Sequence, residues 1–178
     1  MQTFLPYPSY ELSAKALDYK RLNKQVLEAR MIYRIIVGLE KDSRWRNHPA
    51  VRMWKRYPYA LSLYFNAMLK EWKRRGYKSR YKSINHPPPK TGKCWSRPPW
   101  LFEPRDLFCS IHRAALLKKN PSYYSNLEID GQKMKWKENP RIDYWWPVIP
   151  LRHEVKIVRT KFPRRKKTKN AEILVFKK

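Results

Sequence analysis

Fifteen prolines and only four glycines constrain the fold of this 178-residue chain more than any other feature. A proline inside a helix removes a backbone donor and clashes with the preceding turn, so helices start at prolines or end before them. Pro6 and Pro8 keep the first residues extended, and Pro49, Pro58 and Pro121 mark places where a helix starts or stops. The sequence therefore predicts a mainly α fold in which helices are joined by stiff loops.

The first helix is predicted from Tyr10 to about Leu39. Ser9 can cap its start, and Gly38 can break it near its end. Apolar residues recur at helical spacing along this stretch, as is typical of an amphipathic helix. They are Leu12, Ala16, Leu22, Val26, Ala29, Ile32, Ile36 and Leu39.

A second helical zone is predicted from Ala50 to Arg75. Pro49 occupies its first helical position, and Gly76 closes it. Pro58 must kink this zone or split it into two helices.

After this zone the pattern changes. Residues 77–103 are expected to form a long loop, Asp106 to Asn120 a third helix, and residues 126–150 an irregular segment. The tail segments HEVKIVRTKF and AEILVFKK resemble two short strands around the loop PRRKKTKN, which favours a β-hairpin. We divide the chain into a compact helical domain, residues 1–150, and a basic C-terminal extension, residues 151–178.

The charge balance indicates the kind of partner. Lys and Arg number 41 and Asp and Glu 14, which gives a formal charge of +27. An excess of this size repels itself unless a polyanion is near. Aromatic residues make up 15% of the chain, which excludes a simple disordered basic tail. Cations for phosphates, with rings for a core or for stacking on bases, favour a folded nucleic-acid-binding protein.

Nothing in the sequence indicates membrane insertion, secretion or metal binding. The longest apolar run, around Ile32–Leu39, is too short to cross a bilayer, and the N-terminus lacks the segments of a signal peptide. Cys94 and Cys109 favour a reducing compartment, and their spacing with His86 and His112 matches no zinc motif. We expect an intracellular protein that is not secreted and uses no metal and no cofactor.

The segment WRNHPAVRMW, residues 45–54, combines core and surface features. Val51 and Trp54 would pack inward, while Arg46 and Arg52 would face a polyanion. His48 either caps the turn through a ring nitrogen or takes part in catalysis or base contact. Trp45 adjoins arginines on a predicted loop and is a candidate for stacking on a base.

The helical stretch DYKRLNKQVLEAR, residues 18–30, also has two interpretations. It can be a solvated face on which Lys24 and Glu28 pair. It can equally be a phosphate-contacting helix with one carboxylate available for chemistry.

Several motifs then occur together and in order. MQTFLPY, DYKRLNKQVLEA, WRNHPAVRMW, EWKRRGY, RPPWLF, HRAALLKKNPSYY and YWWP resemble the pyrimidine-dimer DNA glycosylase family, typified by phage endonuclease V, and are closest to its bacterial branch. The resemblance covers about residues 1–148. It implies a compact all-helical fold that binds duplex DNA. In that family an N-terminal α-amine attacks the sugar carbon of a damaged nucleotide, a Schiff base forms, the base is released and elimination cuts the strand.

The resemblance also implies which residues carry the chemistry. Met1 would supply the amine, because the large side chain of Gln2 should protect Met1 from removal. α-Amines have a pKa of about 8, so a useful fraction is unprotonated at neutral pH. The family's supporting glutamate aligns near Arg21, and the nearest acid on the helix is Glu28. His48 is a third catalytic candidate.

The expected DNA contacts are polar and basic residues of the helices, the loops and the tail. They are Arg21, Lys24, Gln25, Arg44, Arg46, His48, Arg52, Arg74, Arg75, Lys78, Arg80, Arg113, Lys118, Lys119, Arg164, Arg165, Lys166 and Lys167.

Two functions follow, with duplex DNA as the partner in both. The first is a base-excision glycosylase and abasic-site lyase. The second is a non-catalytic DNA-compacting or structural protein on the same fold, for example beside other virion or chromatin-like proteins. Either would place the chain with DNA in a nucleus, a nucleoid or a virus particle. A third alternative is RNA binding, against which the family resemblance argues.

Overall fold

The computed structural model describes residues 1–90, 96–101 and 107–136, together with the backbone of 144–148, 156–160 and 173–175. Over these residues the chain is mainly helical, as the sequence predicts. The helices are α1 (Tyr10–Ala16), α2 (Tyr19–Ile36), α3 (Pro49–Trp54), α4 (Pro58–Arg74), α5 (Leu107–Lys119) and α6 (Pro121–Tyr124), with a 3-10 turn at Pro99–Leu101. The strands are β1 (Glu128–Ile129), β2 (Gln132–Lys133), β3 (Tyr144–Val148), β4 (Lys156–Thr160) and β5 (Ile173–Val175).

The predicted first helix is in fact two helices, so its prediction as one element is wrong. Ser9 caps α1 as expected, but the chain becomes extended at Leu17. Asp18 then accepts a hydrogen bond from the Arg21 amide at 3.0 Å and starts α2. The Asp18 side chain is buried, and the Tyr124 hydroxyl donates to it at 2.7 Å. A capping aspartate fixed by a distant tyrosine favours a new helix start over continuation of α1.

The second helical zone is split by Pro58, one of the two outcomes that the sequence allowed. Pro49 and Pro58 each stand in the first turn of a helix, α3 and α4, where the missing amide hydrogen has no helical partner to lose. Gly76 has a φ of +84° just after α4, and this left-handed conformation ends the helix.

The core forms where α4 packs against α1 and α2. Its largest fully buried side chains include Trp54, Tyr64, Phe65 and Trp100. Trp54 meets Trp100 edge to face, with ring centroids 5.0 Å apart. Most of the described aromatic residues therefore serve packing, and Trp45 is an exposed exception.

Residues 126–150, predicted to be irregular, contain strands. β1 and β2 form an antiparallel hairpin around Asp130 and Gly131, both of which have positive φ. An Asp-Gly pair is well suited to this tight turn because glycine adopts positive φ without strain and aspartate tolerates it.

The two strands predicted in the tail are present as β4 and β5. β4 pairs antiparallel with both β3 and β5, so the three form one sheet in the order β3-β4-β5. Trp146 of β3 lies opposite Val158 of β4 in the register. β3 also lies beside α3 and α5, which brings the tail to the helical body. The predicted loop PRRKKTKN lies outside the described residues.

The described part of the chain bears on two features that the sequence does not indicate, a membrane span and a metal site. None of its helices is long and apolar enough to cross a membrane. No group of three or more metal-binding side chains occurs among the same residues.

Candidate active site and nucleic-acid interface

The N-terminal segment enters the helical body rather than lying on it. Thr3, Phe4 and Leu5 are buried. The Phe4 amide donates to the Gln25 side-chain oxygen at 2.9 Å, and the Leu5 amide donates to His112 Nδ1 at 2.8 Å. The backbone of this segment is therefore held by side chains of α2 and α5.

Further contacts fix the same segment from two other helices. Tyr64 of α4 donates through its hydroxyl to the Phe4 carbonyl at 3.0 Å, and Trp54 of α3 donates to Thr3 Oγ1 at 3.0 Å. Four helices thus fix the path of residues 3–5. The position of the first residue is set by the tertiary structure.

The N-terminus lies near Glu28, the only acidic residue within α2. The Met1 α-amine lies 3.8 Å from Glu28 Oε1, and the Gln2 amide donates to Glu28 Oε2 at 2.9 Å. The Glu28 side chain is only 15% exposed and that of Met1 4%. An amine and a carboxylate, both predicted as catalytic residues, are brought together across 26 residues of sequence.

Basic side chains surround this pair. Burial lowers the pKa of the Lys119 ammonium, the charges of Arg21 and Lys24 lower it further, and Glu28 opposes them. Arg21 lies 3.3 Å from Asp18 and also donates to the Lys119 carbonyl at 3.2 Å. This cluster concentrates positive charge near Glu28, and positive groups of this kind bind phosphate.

Gln25 was predicted to contact DNA, and the structure places it elsewhere. Its side chain is fully buried. Its oxygen accepts from the Phe4 amide and, at 2.7 Å, from the Tyr64 hydroxyl. Gln25 lies about one helical turn before Glu28 on α2. Its buried side chain anchors the N-terminal segment from inside the protein.

Residues 44–54, which we call the WRNHP corner, have one buried and one exposed side, as the sequence suggested. Val51 and Trp54 are buried, while Arg44, Arg46 and Arg52 are exposed. Trp45 is 45% exposed and lies edge to face against His48, with ring centroids 5.4 Å apart.

His48 caps α3. Its Nδ1 accepts a hydrogen bond from the Ala50 amide at 3.1 Å. This is the capping alternative, and it commits one ring nitrogen to the helix start. This geometry supports a structural role for His48 and leaves its catalytic role a hypothesis.

Arg74 and Arg75 are adjacent in sequence but have different surroundings. The Arg74 side chain is 63% exposed and that of Arg75 19%. Arg75 donates to the carbonyls of Leu17, Ala14 and Lys15 at 2.7, 3.2 and 2.8 Å, and so caps the C-terminal end of α1. The prediction that Arg75 faces DNA is thus replaced by a structural role.

Glu71 holds both of these arginines. Burial raises the pKa of its carboxyl group, but hydrogen bonds from Arg74 and Arg75, together with their charges, outweigh burial and lower it. The pair of guanidinium groups is thereby anchored at the end of α4.

A comparison with protein families bears on this site. The family model described as pyrimidine dimer DNA glycosylase matches residues 1–85. The match spans 85 of the 178 residues, and over these residues the chain is similar to the pyrimidine dimer DNA glycosylase family. No curated protein and no solved structure matches the chain.

The family match covers the amine, the carboxylate and the corner together. Met1, Glu28 and His48 all lie within it, as do 11 of the 18 predicted DNA contacts. The matched family is described as acting on DNA, and the match gives no support to a role in virions or DNA packaging. The resemblance predicted for residues 86–148 stays a prediction.

The remaining predicted contacts lie on three further parts of the chain. Lys78 and Arg80 are exposed after α4, and Lys118 is exposed at the end of α5. Arg113 donates to the Pro6 carbonyl at 2.7 Å and lies 5.8 Å from the centre of the Tyr7 ring, so it also supports the N-terminal segment. Arg164, Arg165, Lys166 and Lys167 lie outside the described residues.

One basic cluster was not predicted from the sequence. Arg30 and Arg80 lie 4.7 and 5.3 Å from the centre of the Tyr81 ring. Arg30 follows Glu28 by two positions, so its place on a basic helix was visible in the sequence. Its partner was not, because Tyr81 comes from a loop 51 positions later.

Proposed function

We propose that this chain is a pyrimidine-dimer DNA glycosylase and abasic-site lyase whose nucleophile is the Met1 α-amine and whose supporting carboxylate is Glu28. The observation that carries the proposal is the 3.8 Å separation between the amine nitrogen and Glu28 Oε1. The family match over residues 1–85 supplies the reaction class.

The chemistry needs few groups. The unprotonated amine attacks C1′ of the damaged nucleotide, and the glycosidic bond breaks as the base leaves with its electron pair and takes up a proton. The sugar ring opens to give an imine between C1′ and the amine. Loss of a C2′ proton then expels the 3′ phosphate, which cuts the strand, and water releases the enzyme.

Glu28 has a defined part in this scheme. Positive charge develops on the sugar as the base leaves, and a carboxylate held beside the attacking nitrogen stabilises it. The hydrogen bond from the Gln2 amide keeps one carboxylate oxygen fixed while the other faces the amine. Such preorganisation requires little rearrangement at the moment of reaction.

DNA binding would use basic side chains of α2, α5 and the WRNHP corner. Lys119 lies near Lys24 and Glu28, and Arg44, Arg46 and Arg52 form the exposed part of the corner. Contacts of this kind bind backbone phosphates without reading sequence. Affinity for duplex DNA should therefore fall steeply with salt, with a slope of about 0.9 per phosphate neutralised.

Borohydride trapping on a duplex with one abasic site tests the enzymatic proposal. Reduction converts the imine into a stable protein–DNA adduct, and peptide mapping then places it on Met1. Extending the N-terminus by two residues moves the amine by several ångströms, since one residue spans about 3.3–3.6 Å. The extended protein should bind DNA but form no adduct at its new terminus. Full lyase activity in that protein would exclude the N-terminal mechanism.

The charge of +27 favours one alternative, the non-catalytic DNA-compacting protein. Many phosphate contacts suit compaction, whereas a repair enzyme must release its product. Borohydride trapping on abasic DNA distinguishes the two functions. Tight DNA binding without an adduct on abasic DNA would favour compaction.

A further inference from the structure

His112 is one of the polar side chains buried in the described part of the core. It is fully buried on α5, between the rings of Phe108, 4.3 Å away, and Phe4, 5.9 Å away, measured between ring centroids. Burial, and then the charge of Arg113, lower the pKa of His112 to about 3. The ring is therefore neutral at any ordinary pH.

The hydrogen bond from Leu5 fixes which ring nitrogen carries the proton. Because Nδ1 accepts from the Leu5 amide at 2.8 Å, the neutral ring must carry its hydrogen on Nε2. Nε2 is buried and has no hydrogen-bond partner among the described residues. A buried donor without a partner destabilises a fold, and an aliphatic or phenyl side chain would fill this space without one.

His112 supplies a hydrogen-bond acceptor for the Leu5 amide of the N-terminal segment. Without it, the buried Leu5 amide would lose its partner. Leu5 lies four residues from Met1, and an extended chain spans at most about 3.3–3.6 Å per residue, so the anchor at Leu5 limits where the amine can lie. Catalysis by a bound group needs the reacting atoms about 3–3.5 Å apart, so a shift at Leu5 matters at the amine.

We propose that His112 is a positioning residue: its Nδ1 holds the Leu5 amide and so sets how far the N-terminal segment reaches toward Glu28. Gln25, which accepts from the Phe4 amide, is the second anchor of the same segment. The proposal deepens the N-terminal-amine function and rests on it for its kinetic consequence. It assigns His112 no contact with DNA.

Two substitutions separate the acceptor from the packing. His112→Asn keeps an acceptor oxygen close to the place of Nδ1, whereas His112→Leu fills the space and removes the acceptor. We expect His112→Leu to lower the rate of adduct formation on abasic DNA at least about tenfold at saturating DNA, with an unchanged Kd for DNA. His112→Asn should recover most of the rate.

Ile111→Ala is the matched control. Ile111 is buried next to His112 on α5, and its side chain can accept no hydrogen bond. Ile111→Ala should lower the melting temperature of the protein and leave the rate of adduct trapping unchanged at temperatures below the unfolding transition. Equal rates in His112→Leu and the native protein would overturn the proposal, as would a loss in Ile111→Ala equal to that in His112→Leu.

A second measurement does not depend on activity. The Leu5 amide should exchange with deuterium slowly in the native protein and in His112→Asn, and much faster in His112→Leu. If His112→Leu fails to fold, the native protein still decides, because a Leu5 amide that exchanges like an exposed amide would overturn the proposal. If the native protein forms no adduct on Met1, the enzymatic function fails, while the exchange of Leu5 still tests the anchor.

Discussion

Glu28 accepts a hydrogen bond of 2.9 Å from the Gln2 amide through one carboxylate oxygen and faces the Met1 amine with the other. A single side chain thus both positions the terminus and provides negative charge beside the amine. These two roles can be separated, because an amide side chain can keep the first and not the second.

Glu28→Gln should therefore fold normally and lose chemistry. The glutamine oxygen can still accept from the Gln2 amide, but the negative charge is gone. We expect the rate of adduct formation on abasic DNA to fall about 10²-fold, the size typical of removing one electrostatic contact in an active site. The measurement is single-turnover borohydride trapping.

Glu11→Gln is the control for a change of net charge. Glu11 is an exposed acid in the first turn of α1, and its side chain accepts from the Ser9 hydroxyl. Its trapping rate should match that of the native protein. A native rate in Glu28→Gln would contradict the assigned role of the carboxylate.

Arg75→Ala should destabilise the fold more than Arg74→Ala, because among the described residues Arg74 hydrogen-bonds only to Glu71, while Arg75 also holds the end of α1. Arg75 holds three carbonyls at the end of α1 and one oxygen of Glu71, and its loss leaves these acceptors without a donor. We expect a loss of about 2–3 kcal/mol in the free energy of unfolding, measured by urea denaturation. Equal stability in the two variants would show that the contacts of Arg75 with α1 contribute nothing.

The His48 cap predicts a split between stability and DNA binding at the corner. His48→Ala removes the acceptor for the Ala50 amide and should lower the free energy of unfolding by about 1 kcal/mol. His48→Asn should restore it, because asparagine is a preferred cap.

Arg46→Ala at the same corner should do the reverse. Arg46 is exposed, so its loss should leave unfolding unchanged while weakening DNA binding at low salt. Cooperative melting and a DNA titration, measured on each variant, separate the two roles. A loss of cooperative melting in Arg46→Ala would make the whole corner structural.

Lys119 gives a pH-dependent prediction. Burial first, then Arg21 and Lys24, lower its pKa in the folded state, so the fold disfavours the charged form. The resulting penalty on stability is fully present below the lowered pKa and is relieved as the pH rises toward the unfolded value of about 10.4. Lys119→Met should therefore be the more stable protein at neutral pH, and the difference should shrink in alkaline solution.

The same substitution should weaken DNA binding. If Lys119 contacts a phosphate, the slope of log affinity against log salt should decrease by about 1. Urea titrations at neutral and alkaline pH, together with a salt titration, make both measurements. A variant less stable than the native protein at neutral pH would contradict the first expectation.

A truncation that keeps the pairing of β3 with β4 tests whether the C-terminal tail contacts DNA. Residues 161–178 carry eight Lys or Arg and one Glu. Removing them should reduce the salt slope of DNA binding by about 0.9 for each phosphate that the tail contacts. An unchanged affinity and slope would show that the tail does not touch DNA.

Local sequence signals predicted most of the helix boundaries. Ser9 caps α1, Pro49 and Pro58 begin α3 and α4, and Gly76 follows α4 with positive φ. These features act through the backbone of neighbouring residues, so they can be read without knowledge of the fold. The break at Asp18 was missed, because Asp18 is fixed by Tyr124, which lies 106 positions away.

Residue chemistry alone did not decide which polar side chains reach the surface. Arg74 and Arg75 have the same side chain and are neighbours, yet only the packing of α1 against α4 places carbonyls within reach of Arg75. Gln25 and Glu28 are one helical turn apart, and the path of the N-terminal segment makes one an internal anchor and the other the partner of the amine.

The sequence by itself determined the basic, aromatic-rich composition, the helical class and the two groups that the chemistry would need. Only the tertiary structure decided that these groups meet. Met1 and Glu28 come within 3.8 Å because side chains from α2, α3, α4 and α5 satisfy the polar groups of residues 3–5 inside the core. A buried backbone must find such partners, and their positions depend on how all four helices pack.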